Sequence, residues 1–175
     1  MARYDAYNSE CLVLSFKDGL LARLAHDLKI QVERFSIELD EESRKIQATF
    51  DPSSLQVVCA QIDGRDDPST LSKGDRKKIY DSITKDVLRA RKHPEIRFES
   101  TDVTPRGDGY SVEGQLKLYG RSRAIQANVR PEGDHWVTEV AIHQPDFGIK
   151  PYTAALGALK VKPDVRVQVR VPREA

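Results

Sequence analysis

His26 and Asp27 stand side by side, and an imidazole beside a carboxylate is a simple general-base arrangement. The pair also invites a phosphohydrolase reading. That chemistry needs further histidine and aspartate ligands carried on helices, and the surrounding sequence has none. Leu28 begins an alternating apolar segment immediately afterwards, so the pair sits at the start of a strand, where an orienting hydrogen bond is the expected role. If any residue acts as a base, it is His26. The other histidines are His93, His135 and His143. His135 and His143 share one face of a single extended segment, but at ~3.4 Å per residue they lie roughly 27 Å apart. Zinc gathers its ligands at about 2 Å from one point. No cysteine or carboxylate spacing resembles a ligand box, so neither a metal nor a cofactor is expected. Asp146-Phe147-Gly148 has the letters of a kinase metal-binding turn without the glycine-rich and catalytic loops that accompany it. It reads as a strand-to-loop turn, with Phe147 capping the interior. No P-loop and no nucleophile elbow occurs. Neither Cys11 nor Cys59 has a context that marks it as reactive. The chain is not expected to be an enzyme.

Composition narrows the classes further. The 175 residues are 39% hydrophobic and 31% charged, too apolar for disorder and too polar for a membrane interior. That length suits one domain, 1–175, able to bury a core without disulfides. Lys and Arg number 28 against 27 Asp and Glu, a net charge of +1, which argues against a dedicated nucleic-acid binder. No apolar run is long enough to span a bilayer. Two cysteines and an N-terminus without a signal-like pattern place the expected location in the cytoplasm.

The elements that must position any site are mostly strands. Apolar residues alternate with polar ones at Leu12, Leu14 and Phe16, and again at Leu28, Ile30 and Val32. Phe35, Ile37 and Leu39 continue in the opposite phase, which predicts a bulge at Glu33-Arg34 within one strand. Further runs follow at Ile46 to Phe50, from Ile96, Val112 to Leu118, Ile125 to Val129, Trp136 to Ile142, and Val165 to Val171. Gly107-Asp108-Gly109 and Pro131-Glu132-Gly133-Asp134 supply turns. Eight strands result. One segment differs: Ile79, Ile83, Val87 and Ala90 recur at helical spacing, predicting an amphipathic helix over 73–92. Its basic residues, among them Lys73, Arg76, Lys77, Lys78 and Lys85, read as a solvated face, with peripheral contact to anionic headgroups as the most a membrane role would involve. Leu20 to Ala25 and Tyr152 to Leu159 are weaker helical candidates. Eight one-sided strands pair as two sheets or close into a barrel, either filled or holding a small ligand.

Four blocks in order carry a resemblance: Ala25-His26-Asp27-Leu28, Ile83 to Thr101 (ITKDVLRARKHPEIRFEST), Gly109 to Arg123 (GYSVEGQLKLYGRSR) and Asp146 to Ile149 (DFGI). Together they resemble the YceI family of lipocalin-like, polyisoprenoid-binding proteins. The resemblance implies an all-β, eight-stranded antiparallel barrel with a helix near one mouth. It also implies an interior that takes an apolar lipid of polyisoprenoid, isoprenoid-quinone or fatty-acyl type, and it leaves a homodimer open. The side chains expected to meet the lipid are Leu28, Ile30, Phe50, Ile83, Val87, Phe98, Val112, Leu116, Leu118, Ala127, Val140, Ile142, Phe147 and Leu156. The alternatives are a filled barrel acting through its surface, as a structural or stress-related interaction module, and an enzyme using His26.

Overall fold

A computed structural model describes residues 1–19 and 25–173. In chain order the strands are β1 (Ala2–Asp5), β2 (Glu10–Ser15), β3 (Asp27–Val32), β4 (Phe35–Asp40), β5 (Lys45–Phe50), β6 (Leu55–Ile62) and β7 (Arg65–Asp67). The helix α1 (Lys73–Asp81) follows. Then come β8 (Ile96–Arg106), β9 (Gly109–Leu118), β10 (Arg121–Glu132), β11 (His135–His143), β12 (Thr153–Ala154), β13 (Leu159–Lys160) and β14 (Asp164–Pro172). Twelve strands form one sheet in the order β1-β4-β5-β8-β9-β10-β11-β14-β2-β3-β6-β7, and β12 and β13 pair separately. Every pairing in it is antiparallel. The all-β class with one α-helix is as expected. The count is not: the sheet has twelve strands, where eight were expected.

The corner at Glu33-Arg34 explains much of the difference. The β3–β6 ladder ends at the pair Val32 and Leu55, and the β4–β5 ladder begins at Phe35 and Phe50. Two residues on one side therefore face four, Asp51 to Ser54, on the other. The expected bulge is instead a break in both strands, with the surplus residues on the partner. Polar groups stitch the corner. Glu33 N donates to Ser54 O at 3.1 Å and Asp51 N to Arg34 O at 3.0 Å. The Arg34 guanidinium reaches the Asp51 carboxylate at 2.8 and 2.9 Å, while Asp51 also accepts from Ser53 N at 2.8 Å and so caps the 3-10 turn Pro52–Ser54. Beyond the corner each segment changes neighbours: β3 lies between β2 and β6, β4 between β1 and β5. The hairpin thus ties together regions far apart in the strand order, which curls the sheet strongly.

The curl leaves a gap between β6 and β8, because β8 pairs with β5 only over Ile96 to Glu99. Residues 73–87 fill it. Ser72 Oγ accepts from Asp75 N at 3.0 Å while the Asp75 carboxylate accepts from Ser72 N at 2.9 Å, a reciprocal cap that starts α1. The helix does not run to residue 92. After Asp81 it widens into one π-helical stretch, Ser82–Val87, with Leu88 N donating to Ile83 O at 2.8 Å. Arg89, at φ +46°, then turns the chain away. The apolar spacing persisted to Ala90 because that residue is buried in the turn as well. Ile79, Tyr80 and Ile83 pack on Leu28, Ile30, Val57 and Ala60, whereas Val87 and Leu88 pack on the cluster around Leu116, Leu118 and Phe147. One helical segment therefore bridges both walls.

Of the weaker helical candidates, Leu20 to Ala25 falls almost wholly outside the described residues. Tyr152 to Leu159 is not helical beyond a short 3-10 turn at Ala155–Gly157; it is the small hairpin of β12 and β13. Among the described residues no helix is long and apolar enough to cross a membrane.

Candidate ligand-binding cavity

Along each strand the side chains alternate between two surfaces, and the inner surface of the curled sheet does not meet itself at the centre. It borders a half-open cavity of about 1140 Å³. Tyr4, Ile37 and Leu39 from one end of the strand order line it together with Leu28, Ile30 and Leu55 from the other. That shared lining is the direct consequence of the corner at residues 33–34. The wall is mainly aliphatic and aromatic. Val165, Val167, Val169 and Val171 of β14 all face inward, as do Trp136, Val140 and Ile142 of β11.

Polar groups sit at the two ends. His26, Thr70, Asp75, Lys78, Gln144 and Tyr152 border the mouth beside α1. Asp75 is held below its usual carboxylate range, first by the hydrogen bond from Ser72 N and then by the Ser72 hydroxyl. At the opposite end lie Glu41, Arg44, Tyr110, Trp136 and Arg173. There the Arg173 guanidinium stacks 4.8 Å from the Trp136 ring centre, and the edge of one of the rings of Tyr110 and Trp136 meets the face of the other at 5.5 Å and 69°. Tyr4 also lines the cavity, with its phenol pushed up by burial and then by Glu41. Between the ends, Cys11 faces the cavity with its thiol pushed up to about 12, by burial first and Glu10 second. The middle of the site is thus an apolar sleeve, and its ends can orient a polar group.

The structure brings together Leu28, Ile30, Phe50, Ile83, Val87, Phe98, Val112, Leu116, Leu118, Ala127, Val140 and Ile142 in this lining. Two expected residues are elsewhere. Phe147 is buried at 2% exposure, packed against the inward-facing Leu116, Leu118 and Ile142 and against Ile149, and those side chains, not its own ring, line the cavity. Leu156 is fully exposed at the tip of the β12–β13 hairpin, because a turn replaces the helix that would have carried it inward. Sequence reasoning missed Ile37, Leu39, Trp136 and the β14 valines as lining residues, although their alternation was the available signal.

The chemistry weighed for the histidines finds no shared centre. His143 pairs with Asp164, and His135 lies against Asp134 and Arg170 at the far end of β11. Among the described residues no three His, Cys, Asp or Glu side chains converge as metal ligands. Asp27, not His26, makes the orienting contact, accepting from Lys17 N at 2.9 Å.

Residues 20–172 match the YceI-like domain model. The chain belongs to the YceI-like family. A curated relative, a UPF0312 protein of Yersinia pestis (strain Pestoides F), is 40% identical over 55 residues, a match covering 30% of this chain and 29% of that protein. Among solved structures, Burkholderia cenocepacia BcnA superposes with a TM-score of 0.63 at 18% identity, covering 93% of this chain and 94% of its own. A polyisoprenoid binding domain from Saccharophagus degradans, implicated in plant cell wall breakdown, gives 0.59 at 12% identity, covering 97% and 94%. The Campylobacter jejuni YceI protein gives 0.54 at 15% identity, covering 83% and 85%. At these identities the likeness is one of fold.

Proposed function

We infer that this YceI-like protein binds and carries an apolar lipid, of polyisoprenoid, isoprenoid-quinone or fatty-acyl type, inside the curled sheet without transforming it. The observation that carries this reading is the 1140 Å³ apolar cavity. Ligand pockets commonly measure about 300–1,000 Å³, so this one is too large to be a packing defect. Water inside it would face walls that offer few hydrogen-bond partners. A hydrocarbon chain gains about 0.8 kcal/mol per methylene on leaving water. Sixteen methylenes are then worth about 13 kcal/mol, which offsets most of the range of about 4–15 kcal/mol that association costs. The Saccharophagus neighbour, described as a polyisoprenoid binding domain, agrees with this ligand class.

The absence of catalysis in this reading rests on the same lining: the charged groups lie at the ends, and between them the protonated Cys11 thiol and the Thr138 hydroxyl stand among apolar side chains. A family match running over 20–172 favours one domain across the chain. Two buried free thiols, Cys11 and Cys59, suit a reducing compartment such as the cytoplasm.

Titration with a fluorescent polyene fatty acid and competition by a polyprenol test the reading. Ala127 lines the cavity from β10, so Ala127→Trp fills part of it. The wild-type protein should bind saturably, and the variant at least tenfold more weakly with an unchanged circular dichroism spectrum. Equal binding by a folded Ala127→Trp would place the probe outside the cavity and defeat the proposal.

A further inference from the structure

The β12–β13 hairpin is built unlike the rest of the molecule. Thr153 pairs with Lys160 and Ala154 with Leu159, and the tip between them is Ala155-Leu156-Gly157-Ala158. Ala155 and Leu156 adopt φ of +51° and +55°, successive left-handed conformations that residues with a Cβ adopt reluctantly and that tend to mark functional sites. The consequence is a fully exposed leucine at the end of a short arm. The base of the arm has the opposite character. Tyr152, Leu159 and Val161 line the cavity, and the arm is fixed by Val161 N donating to Tyr152 O at 3.0 Å and Lys162 N to Phe16 O at 2.8 Å. Apolar side chains thus stand at both ends of the hairpin, at the cavity and at the tip.

The arm's own segment carries charge of one sign. Between Ile149 and Pro163 the chain carries Lys150, Lys160 and Lys162, all exposed, and no acidic residue. Lys160 lies 3.5 Å from Asp18, but both remain partly in water. Lys78, also exposed, faces them across the same mouth, with Asp75 as its acidic neighbour on α1. An exposed leucine at the tip of an arm whose base and flanks carry exposed lysines, beside the mouth of an apolar cavity, matches a surface that is anionic outside and hydrocarbon inside. We propose that the 153–160 hairpin is a docking finger for an anionic lipid bilayer, with Leu156 entering the acyl boundary and Lys150 and Lys162 meeting the headgroup phosphates. The finger sets the mouth against the membrane. It extends the carrier reading, but its own test requires no bound ligand.

Flotation of the full-length protein with phosphatidylglycerol or phosphatidylcholine vesicles decides it. The wild-type protein should float with phosphatidylglycerol vesicles, weakly or not at all with phosphatidylcholine, and lose binding as salt rises. Leu156→Asp, a change at a fully exposed position that leaves the fold intact, should weaken binding at least tenfold. Lys150→Glu with Lys162→Glu should weaken it severalfold and flatten the salt dependence. Ala127→Trp should lose fatty-acid binding yet still float, which separates failure of the finger from failure of the carrier reading. Three results would overturn the proposal: no wild-type binding, equal binding to both vesicles, or undiminished binding by Leu156→Asp. Loss of a dimer in Leu156→Asp, seen by light scattering and without any vesicle effect, would assign the finger to a second copy of this chain and overturn it equally.

Discussion

If the interior is hollow, shortening a side chain that faces it should cost much less than shortening one packed on all sides. Phe98 and Phe147 form the test pair. Phe147 is 2% exposed and surrounded by the cluster of Leu116, Leu118, Ile142 and Ile149. Removing its ring opens a new void, and Phe→Ala at such a site costs about 3–5 kcal/mol, part lost transfer energy and part cavity formation. Phe98 is half-buried: it packs against the backbone at Gly114 on one side and borders the 1140 Å³ cavity on the other. Phe98→Ala only enlarges a space that already exists, so much of the cavity penalty is absent and about half the contacts are lost. The expected cost is about 1.5–2.5 kcal/mol, roughly half the full value. Urea unfolding of both variants, with m-values compared to show that the denatured states match, gives the two numbers. At about 2–4 °C per kcal/mol for a chain of this size, melting temperatures should separate them too. A Phe98→Ala cost equal to that of Phe147→Ala would mean that the interior packs solid in solution, and the lipid site would go with the cavity.

Three further outcomes follow from particular contacts. Gly114 has no room for a side chain, since a Cβ there would lie 2.4 Å from Glu99 O and 2.5 Å from the Phe98 ring. Gly114→Ala should therefore destabilise by about 2 kcal/mol or more, and the double variant with Phe98→Ala should recover only part, because the backbone clash remains; full recovery would refute this geometry. The Cys11 thiol, pushed up to about 12, is almost entirely protonated at pH 8, so the native protein should react with Ellman's reagent far more slowly than the urea-unfolded chain. A fast native reaction mapped to Cys11 by peptide mass spectrometry would contradict its burial. Asp51 feels burial pushing its carboxyl up, but the Ser53 hydroxyl, the Arg34 guanidinium and Ser53 N outweigh it and leave the group below its usual value. A depressed carboxyl contributes stability above its unfolded value, near 3.9, and loses it as pH falls through the lower folded value. Asp51→Asn should cost about 1 kcal/mol at pH 7, discounted for partial exposure, with the gap to wild type narrowing as pH falls below the unfolded value near 3.9; a constant gap would remove the ionised carboxylate from the account.

The fold was legible where one face of a strand meets the cavity and the other meets solvent. Val165 to Val171 shows the pure case: four valines inward, with Arg166, Gln168 and Arg170 between them. β6 was missed because Val57, Cys59 and Ala60 are all buried, Val57 and Ala60 in the cluster packed by Ile79 and Ile83, so alternation is erased. β1, four residues long, is too short for a period to register. The corner was half legible. The phase change between Val32 and Phe35 is in the sequence, but the four-residue insertion opposite, held by Arg34, Asp51 and Ser54, depends on contacts between segments some twenty residues apart. Of the site, the inward phase of the strands identified most of the wall; Phe147, in the turn after β11, lies outside any strand phase, and its burial in the cluster with Leu116 and Leu118 keeps it from the lining. Leu156 failed for a different reason. Its Ala- and Leu-rich surroundings suit a helix, yet two left-handed residues bend them into a hairpin and turn the leucine into solvent.

The central claim is that hydrocarbon fills the space inside the sheet. Native mass spectrometry of gently purified protein, with solvent extraction and identification of whatever is released, tests it most directly. The expected spectrum shows the 19.8 kDa chain carrying a discrete apolar adduct of prenyl or acyl type, depleted in Ala127→Trp. A bare chain in every preparation, taking up no prenyl or acyl compound when one is supplied, would contradict the account.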